Sequence, residues 1–192
     1  MSRPYSIYLD PGHGGKDYGA VSADGKHNEK DIVLDIGRLW KRCAMQGDYL
    51  YDVFLTRFSD RYLTLPARVK LAEERKVDLF ISLHLNSFSG PKPEGVEVWY
   101  RSGSVRSAVL ATRLYHAVLD SLPAIAGRGV KPSCDAPKGS LYVLDKTTMP
   151  AALIEFEFLS NPQEFVTEIN VQRPLVKNLS EQIEYILEGG PE

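Results

Sequence analysis

Two spacings of hydrophobic residues alternate along this chain, and together they predict its secondary structure. Short runs rich in β-branched and aromatic residues predict strands, whereas apolar residues spaced three or four apart predict amphipathic helices. The predicted strands cover residues 6–10, 51–56, 78–84, 95–100 and 151–155. The predicted helices cover residues 29–45, 65–76 and 104–121, and a helical C-terminal region from Pro162 to Leu187 with a break near Arg173 and Pro174. Strands that alternate with helices are typical of an α/β fold.

The strand at residues 78–84 (DLFISLH) is almost entirely apolar, which predicts a central strand covered by helices on both faces. The segment at 95–100 (GVEVWY) alternates instead and is predicted to lie nearer an edge. Candidate chemical residues sit at three strand ends: His13 follows the first strand, His84 closes the third and Glu155 ends the last. Because ligands bind beyond the carboxyl ends of strands in open α/β sheets, we expect these side chains to share one crevice.

His13 lies in a glycine-rich turn, Asp10-Pro-Gly-His-Gly-Gly, directly after the first strand. Glycine accepts positive φ angles and lets the backbone approach a ligand closely, so this turn can present the imidazole with little shielding. The alternative interpretation is a glycine-rich turn with an incidental histidine.

Glu29 and His84 each have an ordinary structural explanation when considered alone. Glu29 begins a predicted helix, where a carboxylate often only complements the helix dipole. His84 ends an apolar strand, where a histidine is more often hydrogen-bonded than a metal ligand. Together with His13, however, they form a set of two imidazoles and one carboxylate. That set suits a single zinc ion and leaves its fourth position open for water, as in catalytic zinc sites.

Glu155 is the fourth candidate, in the segment Pro150-Ala-Ala-Leu-Ile-Glu. A carboxylate at the end of a buried strand is costly unless it is paired or functional. Beside activated water it could take up a proton during attack and deliver it to a leaving amine. A salt bridge to a nearby arginine or lysine is the structural alternative.

The composition of the chain excludes some classes of binding partner, but it says little about the chemistry of the chain. The 192 residues suit one domain, and a formal net charge of -2 predicts no nucleic-acid footprint and no polybasic membrane patch. Cys43 and Cys134 lie far apart and are predicted to be unpaired thiols. The N-terminus lacks the apolar region of a signal peptide, and no segment approaches the roughly 20 apolar residues of a membrane span. We therefore expect a monomer without membrane insertion and without an export signal in this sequence.

Several motifs follow one another along nearly the whole chain. They are Leu9-Asp-Pro-Gly-His-Gly-Gly with Gly19-Ala20, Glu29-Lys30, Leu55-Thr-Arg57 with Asp60, Leu65 and Arg68, Phe80-Ile-Ser-Leu-His84 with Asn86, Gly95-Val96, Arg128-Gly-Val130, and Pro150 through Asn161. In this order and spacing they resemble the zinc-dependent N-acetylmuramoyl-L-alanine amidases of the amidase-3 type. The resemblance implies an α/β fold with a twisted, mostly parallel sheet of about six strands, flanked by helices on both faces. It also implies that residues 1–192 form a single catalytic domain.

By this resemblance His13, Glu29 and His84 bind one zinc ion, and Glu155 is the catalytic base. The implied reaction is hydrolysis of the amide between N-acetylmuramic acid and the L-alanine of the stem peptide, with peptidoglycan in the cell wall as substrate. Candidates for contacts to the substrate or transition state are Asn86, Arg68 and Lys138. A zinc peptidase or deacylase would use the same ligands on another amide, and a non-catalytic peptidoglycan-binding protein would need neither zinc nor the base.

Three positions complicate the family pattern. Glu157 stands where the family commonly has glycine, so it competes with Glu155 for the role of base; on a regular strand both side chains would lie on the same face. Leu85 follows the second histidine where the family often has alanine, which is expected to narrow the crevice. His27, two residues before Glu29, is an alternative metal ligand.

The link at residues 87–94 (SFSGPKPE) is short, whereas tightly regulated members of the family carry an inserted helix there that blocks the site. We therefore expect an enzyme that is not self-inhibited. We also expect no separate cell-wall-binding module. These features favour a phage endolysin made in the host cytoplasm over the excised catalytic domain of an exported bacterial autolysin, and both interpretations stay open.

Overall fold

The computed structural model describes residues 4–88, 93–137, 139–160 and 168–190. Its strands are β1 (Tyr5–Pro11), β2 (Tyr51–Leu55), β3 (Leu79–Asn86), β4 (Val96–Tyr100), β5 (Gly127–Pro132) and β6 (Ala151–Phe158). Its helices are α1 (Glu29–Gln46), α2 (Leu65–Arg75), α3 (Val105–Ser121), α4 (Tyr142–Asp145) and α5 (Ile169–Leu187), and Ser133–Asp135 form one turn of 3-10 helix. Strands and helices alternate along most of the chain, as the hydrophobic pattern predicts.

These strands form one sheet in the order β2-β1-β3-β6-β4-β5. The pairs β1–β2, β1–β3, β3–β6 and β4–β5 are parallel, and β4 runs antiparallel to β6. The expectation of a mostly parallel sheet of about six strands is therefore confirmed. Because β3 and β6 are adjacent and parallel, residues toward their carboxyl ends lie side by side at one edge of the sheet.

Helices cover both faces of this sheet. Helices α1, α3 and α5 pack on one face, where Trp40, Leu110 and Leu175 are fully buried. Helices α2 and α4 pack on the other face, over a smaller cluster that includes Phe80 and Leu144. Coverage on both faces is what the unbroken apolar run of β3 predicts, since a central parallel strand has no solvent-facing side.

Strands β3 and β6 extend beyond their predicted ends. β3 continues past His84 and β6 past Glu155, because Leu85 and Phe156 are buried and prolong the apolar pattern of each strand. His84 and Glu155 therefore lie within their strands and not at the ends, which corrects the prediction.

Strand β5, at the edge of the sheet, lies outside the predicted strands. Its sequence, GRGVKP, contains two glycines and a proline, and its residues are exposed or half-buried. An edge strand pairs on one side only and tolerates both residue types, so it carries little hydrophobic signal.

Helix α5 runs without interruption through Pro174, so the predicted break near Arg173 and Pro174 is wrong. A proline inside a helix costs about 3 kcal/mol or more. The adjacent Leu175 and Val176 are fully buried, and burying such side chains stabilises the fold by about 1.5–3 kcal/mol each. Packing thus offsets the missing hydrogen bond. The predicted start of this helical region, at Pro162, lies outside the described residues.

Within the described ranges, no helix combines the length and apolar composition needed to cross a bilayer. Both cysteines are unpaired, as predicted: Cys43 is half-buried and Cys134 is exposed. Neither belongs to the group of potential metal ligands described below.

Candidate active site

The glycine-rich turn after β1 gives His13 its position. Gly12 donates its N–H to the carbonyl of Leu83 in β3 at 3.0 Å, which carries the pairing of β1 and β3 into the turn. His13 has a left-handed backbone with φ of 59°, which is uncommon for a residue with a side chain. Its imidazole lies edge to face on that of His84, with 5.0 Å between ring centroids. A Cβ at Gly12 would overlap the His84 ring, so the two histidines can approach only because this residue is glycine.

Asp10 and Arg68 support this turn from the interior. Oδ1 of Asp10 accepts a hydrogen bond from Nη1 of Arg68 at 2.7 Å, and Arg68 also donates to the carbonyls of Pro11 and His13. Burial would raise the pKa of Asp10, but the charge of Arg68 and a hydrogen bond from Thr56 outweigh it and lower the pKa. Arg68 is only 3% exposed. The expectation that it contacts substrate is therefore corrected: its guanidinium is used inside the protein.

The structure brings His13, Glu29 and His84 together. Their potential ligand atoms all lie within 4.8 Å of one another, and no other such group occurs among the described residues. Oε1 of Glu29 lies 3.1 Å from Nε2 of His13 and 2.9 Å from Nδ1 of His84. His27, the alternative ligand, is exposed and does not belong to this group.

Glu29 is buried, and two backbone donors fix its carboxylate. The N–H of Ala20 donates to Oε2 at 2.8 Å, and the N–H of Leu85 donates to Oε1 at 2.9 Å. Burial alone would raise the pKa of Glu29, but hydrogen bonds and charge from His13 and His84 outweigh it and lower the pKa. Glu29 is therefore an anion with a fixed orientation, which is the state a metal ligand requires.

Asp17 orients the imidazole of His13. Its Oδ1 lies 2.9 Å from Nδ1 of His13, and the N–H of Gly19 donates to the same oxygen at 3.3 Å. A carboxylate on one ring nitrogen fixes the tautomer and leaves the other nitrogen, here Nε2 facing Glu29, free to bind a metal. Burial disfavours the charged form of His13, but Glu29 and Asp17 outweigh it and raise its pKa. Asp17 was not identified from the sequence. The only sequence feature that could have indicated it is the position of an acid four residues after His13.

Replacing Asp17 by asparagine is expected to weaken zinc binding about 10–100-fold. The amide removes the negative partner of the imidazole but leaves all three proposed ligands, so excess zinc should restore binding. Calorimetric titration of the metal-free protein with zinc measures the affinity. Asp24→Asn, an exposed acid in the same loop, is the matched control. Equal affinities for the Asp17 variant and the wild type would show that this carboxylate does not strengthen zinc binding through His13.

Glu155 lies beside His84 across the β3–β6 pair, where their Cα atoms are register partners. Its Oε2 is buried and has no hydrogen-bond partner in the part of the chain that the structure describes. Burial raises the pKa of Glu155 well above its usual value, and the negative charges of Glu29 and Glu97 raise it further. Within the same described ranges no salt bridge neutralises Glu155, so the structural alternative has no support from this geometry.

A β-bulge separates Glu157 from Glu155. His84 pairs with Glu155, but Asn86 pairs with Phe158, so β6 holds one extra residue between the two pairs. Since His84 and Asn86 share one face of β3, the residue beyond the bulge that shares the face of Glu155 is Phe158. The expectation that Glu155 and Glu157 lie on the same face is therefore wrong, because the strand is irregular at this point.

Glu157 is 2% exposed, and burial together with the charge of Glu94 raises its pKa to about 8. A pKa raised in the folded state stabilises the protein fully below the ordinary pKa of 4.5, and this contribution is lost as the pH rises to about 8. Glu157→Gln mimics the protonated carboxyl, so it is expected to raise Tm at pH 8 and to change it little near pH 5.

Thermal unfolding of the Glu157 variant at the two pH values measures this effect, with the exposed Glu188→Gln as control. A Tm difference from the wild type that did not grow with pH would contradict the buried, protonated state of Glu157.

Glu97 anchors two basic side chains next to Glu155. The two glutamates are register partners in the antiparallel β4–β6 pair. Oε2 of Glu97 accepts hydrogen bonds from Nζ of Lys131 at 2.6 Å and from Nε of Arg128 at 3.0 Å. Burial would raise the pKa of Glu97, but these two cations outweigh it and lower the pKa. Sequence reasoning missed this cluster, although an acid inside the alternating strand GVEVWY is a signal for it.

A groove of about 650 Å³ extends from Glu155 toward β5. Its walls include the aromatic Phe88, Trp99 and Phe158 and the basic Arg128 and Lys131. Asn86, expected to contact substrate, also lines the groove and donates from Nδ2 to Oε1 of Glu97 at 3.0 Å. Lys138, the third expected contact, lies outside the described residues.

Sequence comparison relates the chain to enzymes of one kind. The profile of a family described as N-acetylmuramoyl-L-alanine amidase matches residues 7–184. The germination-specific N-acetylmuramoyl-L-alanine amidase of Bacillus subtilis is 32% identical over 176 residues, covering 82% of this chain and 68% of that protein. The endolysin of Bacillus phage SPP1 is 35% identical over 158 residues, covering 82% of this chain and 56% of that protein. N-acetylmuramoyl-L-alanine amidase AmiC of Escherichia coli O6:H1 is 41% identical over 97 residues, which cover 50% of this chain and 23% of that protein.

Solved structures with the same fold cover nearly the whole chain. An N-acetylmuramoyl-L-alanine amidase from Clostridium difficile 630 superimposes with a TM-score of 0.89 at 28% identity, covering 99% of this chain and 100% of that one. The catalytic domain of CwlV from Bacillus (Paenibacillus) polymyxa gives a TM-score of 0.86 at 29% identity, covering 96% and 98%. The six-stranded sheet and its flanking helices are therefore those of amidase catalytic domains.

Proposed function

We infer the chemistry of this site from the fact that the chain belongs to the amidase-3 family of N-acetylmuramoyl-L-alanine amidases. The proposed reaction is hydrolysis of the amide bond between N-acetylmuramic acid and the L-alanine of the stem peptide, in the peptidoglycan of the cell wall. The observation that carries the proposal is the group of His13, Glu29 and His84 with Glu155 beside it on the neighbouring strand.

The three grouped residues suit a zinc ion. Two imidazole nitrogens and one carboxylate oxygen are donors that zinc prefers, and three protein ligands leave a fourth position open. We propose that His13 binds through Nε2, because its Nδ1 faces Asp17, and that Glu29 and His84 complete the set. Zinc held there would supply a Lewis acid and would lower the pKa of a bound water to about 7.

Glu155 then serves as general base and general acid. It takes a proton from the water that attacks the lactyl carbonyl carbon, and it delivers a proton to the L-alanine nitrogen as the carbon–nitrogen bond breaks. A glutamate with a raised pKa holds a proton more readily near neutral pH, which suits the second transfer. The unpartnered Oε2, among the described residues, is an oxygen available to receive that proton.

We further propose that residues 1–192 form one monomeric catalytic domain that needs no activator. The short link at residues 87–94 supports the last point, since it leaves no room for a long inserted helix between β3 and β4. Purified wild-type protein should release peptides from peptidoglycan without any added protein. A requirement for a second protein would contradict this part of the proposal.

Product analysis tests the reaction itself. Zinc-loaded protein incubated with purified peptidoglycan should release peptides that begin with a free L-alanine amino group. New reducing sugar ends would indicate a glycosidase, and new amino groups elsewhere in the stem would indicate a peptidase; either result would overturn the proposal. Chelator should stop the release, and added zinc should restore it.

A further inference from the structure

The groove beside Glu155 contains a built cationic wall that the proposed reaction does not use. Glu97 is 5% exposed, and its carboxylate holds Arg128 and Lys131 in fixed positions through Oε2. Of the two basic side chains, Arg128 is exposed and Lys131 is half-buried, with 36% and 31% exposure. A buried acid that positions two partly exposed cations is an arrangement that can orient them toward a ligand.

Both cations keep donors available for a ligand. Arg128 uses only Nε on Glu97, and within the described ranges neither of its Nη atoms has a hydrogen-bond partner. Its guanidinium also lies 5.0 Å from the ring centroid of Phe158, which fixes its plane. Lys131 uses one of its three donors on Glu97, and its Nζ lies 5.2 Å from the ring centroid of Trp99. A fixed guanidinium fork with free Nη donors matches the geometry of a carboxylate.

The distance from Glu155 matches the second residue of a peptide. Glu155 and Glu97 are register partners on the adjacent strands β6 and β4, which lie about 4.8 Å apart, and the bonding nitrogens of Arg128 and Lys131 lie 3.0 Å and 2.6 Å from Oε2 of Glu97. An extended dipeptide spans about 7 Å. If L-alanine leaves from Glu155 along the groove, the following residue lies beside the cations. In peptidoglycan that residue is D-glutamate, joined through its side chain, so that its α-carboxyl group is free or amidated.

We propose that Arg128 and Lys131 bind the free α-carboxylate of the second stem-peptide residue and thereby set specificity for its unamidated form. This inference rests on the proposed amidase function. Asp135, exposed at the rim, and Glu155 are the other acids that line the groove. Recognition therefore depends on directed hydrogen bonds from the two cations, and a neutral amide at the same place loses their charge-assisted part.

Two substrates that differ in one group test the proposal: N-acetylmuramoyl-L-alanyl-D-isoglutamate and the corresponding D-isoglutamine compound. Wild-type zinc-loaded enzyme is expected to favour the acid about tenfold in kcat/KM. Arg128→Gln and Lys131→Gln should each bring this ratio close to one, whereas Lys131→Arg should retain most of it. Because both substrates are measured on the same preparation, the ratio does not depend on the fraction of protein that is folded.

Arg113→Gln is the matched control, since Arg113 lies on α3 over the ring of Tyr185 and outside the groove; its ratio should equal that of the wild type. An acid-to-amide ratio near one in the wild type would overturn the proposal. So would a loss of activity in the Gln variants that is equal for both substrates, since that would show a purely structural role.

A binding measurement tests this inference independently of the proposed reaction. The zinc-loaded protein is titrated calorimetrically with L-alanyl-γ-D-glutamate and with its α-amide, neither of which can be hydrolysed at the muramoyl bond. Selective binding of the acid, lost in Arg128→Gln, would support the groove even if the protein cleaved no muramoyl peptide, a result that would overturn only the reaction. Equal binding of both dipeptides by an active enzyme would overturn only the groove assignment.

Discussion

Replacing Glu155 by glutamine is expected to lower kcat about 10²–10⁴-fold, the usual contribution of a general acid–base group. Glutamine has nearly the same shape as glutamate but cannot accept the proton of the attacking water or return one to the leaving nitrogen. Zinc binding should persist, because His13, Glu29 and His84 are untouched. Peptide release from peptidoglycan measures kcat, and zinc content measured on the same sample shows that the metal is retained.

The matched control is Glu157→Gln, a second buried glutamate of β6 that lies beyond the bulge. It should keep activity within a few-fold of the wild type, because its place relative to His84 differs from that of Glu155. If the Glu157 variant lost activity and the Glu155 variant kept it, the two roles would have to be exchanged.

Removing one imidazole, by His84→Ala, is expected to abolish stoichiometric zinc binding and with it peptide release. Two protein donors would then remain, whereas catalytic zinc sites commonly have three. The loss of zinc binding should also be visible in thermal stability. Zinc at 100 times its dissociation constant stabilises a folded protein by about 2.7 kcal/mol, so added zinc should raise the Tm of the wild type but not that of the variant.

His27→Ala is the control for this experiment, since His27 is exposed and stands two residues before Glu29. It should bind zinc and respond to it like the wild type. Full zinc content in His84→Ala would contradict the assignment of this ligand, and a loss of zinc in His27→Ala would reassign it.

The hydrophobic pattern predicted most of the fold because most of the fold depends on burial. The continuous apolar run of β3 and the helical stripe of α1 follow directly from which faces are covered. Strand β5 carries two glycines and a proline, and it is held by backbone pairing to β4 rather than by buried side chains. The pattern of one chain segment cannot report that pairing, which depends on a strand elsewhere in the sequence.

The proposed ligands His13, Glu29 and His84 were predictable because their residue types and motif order are informative. The details around them were not. Asp17 acts through one hydrogen bond inside a loop, and such a contact has no periodicity.

The β6 bulge could not be predicted from the sequence for a similar reason. It separates Glu155 from Glu157 through a shift of register against β3, which depends on how two strands meet. Arg68 failed as a substrate contact for a related reason, since an arginine in the sequence does not show whether it faces a buried acid.

The wide spacing of the proposed ligands along the chain has a consequence for how the protein folds. His84 and Glu29 are 55 residues apart in sequence, and their contact requires α1 to be packed on the sheet and β3 to be paired with β1. Contacts of such long range form slowly, because the loop between them must close first. We therefore expect the unfolded chain to offer no preformed site for the proposed zinc ion. The metal is expected to enter late and to stabilise a finished fold, and it does not act as the nucleus from which folding begins.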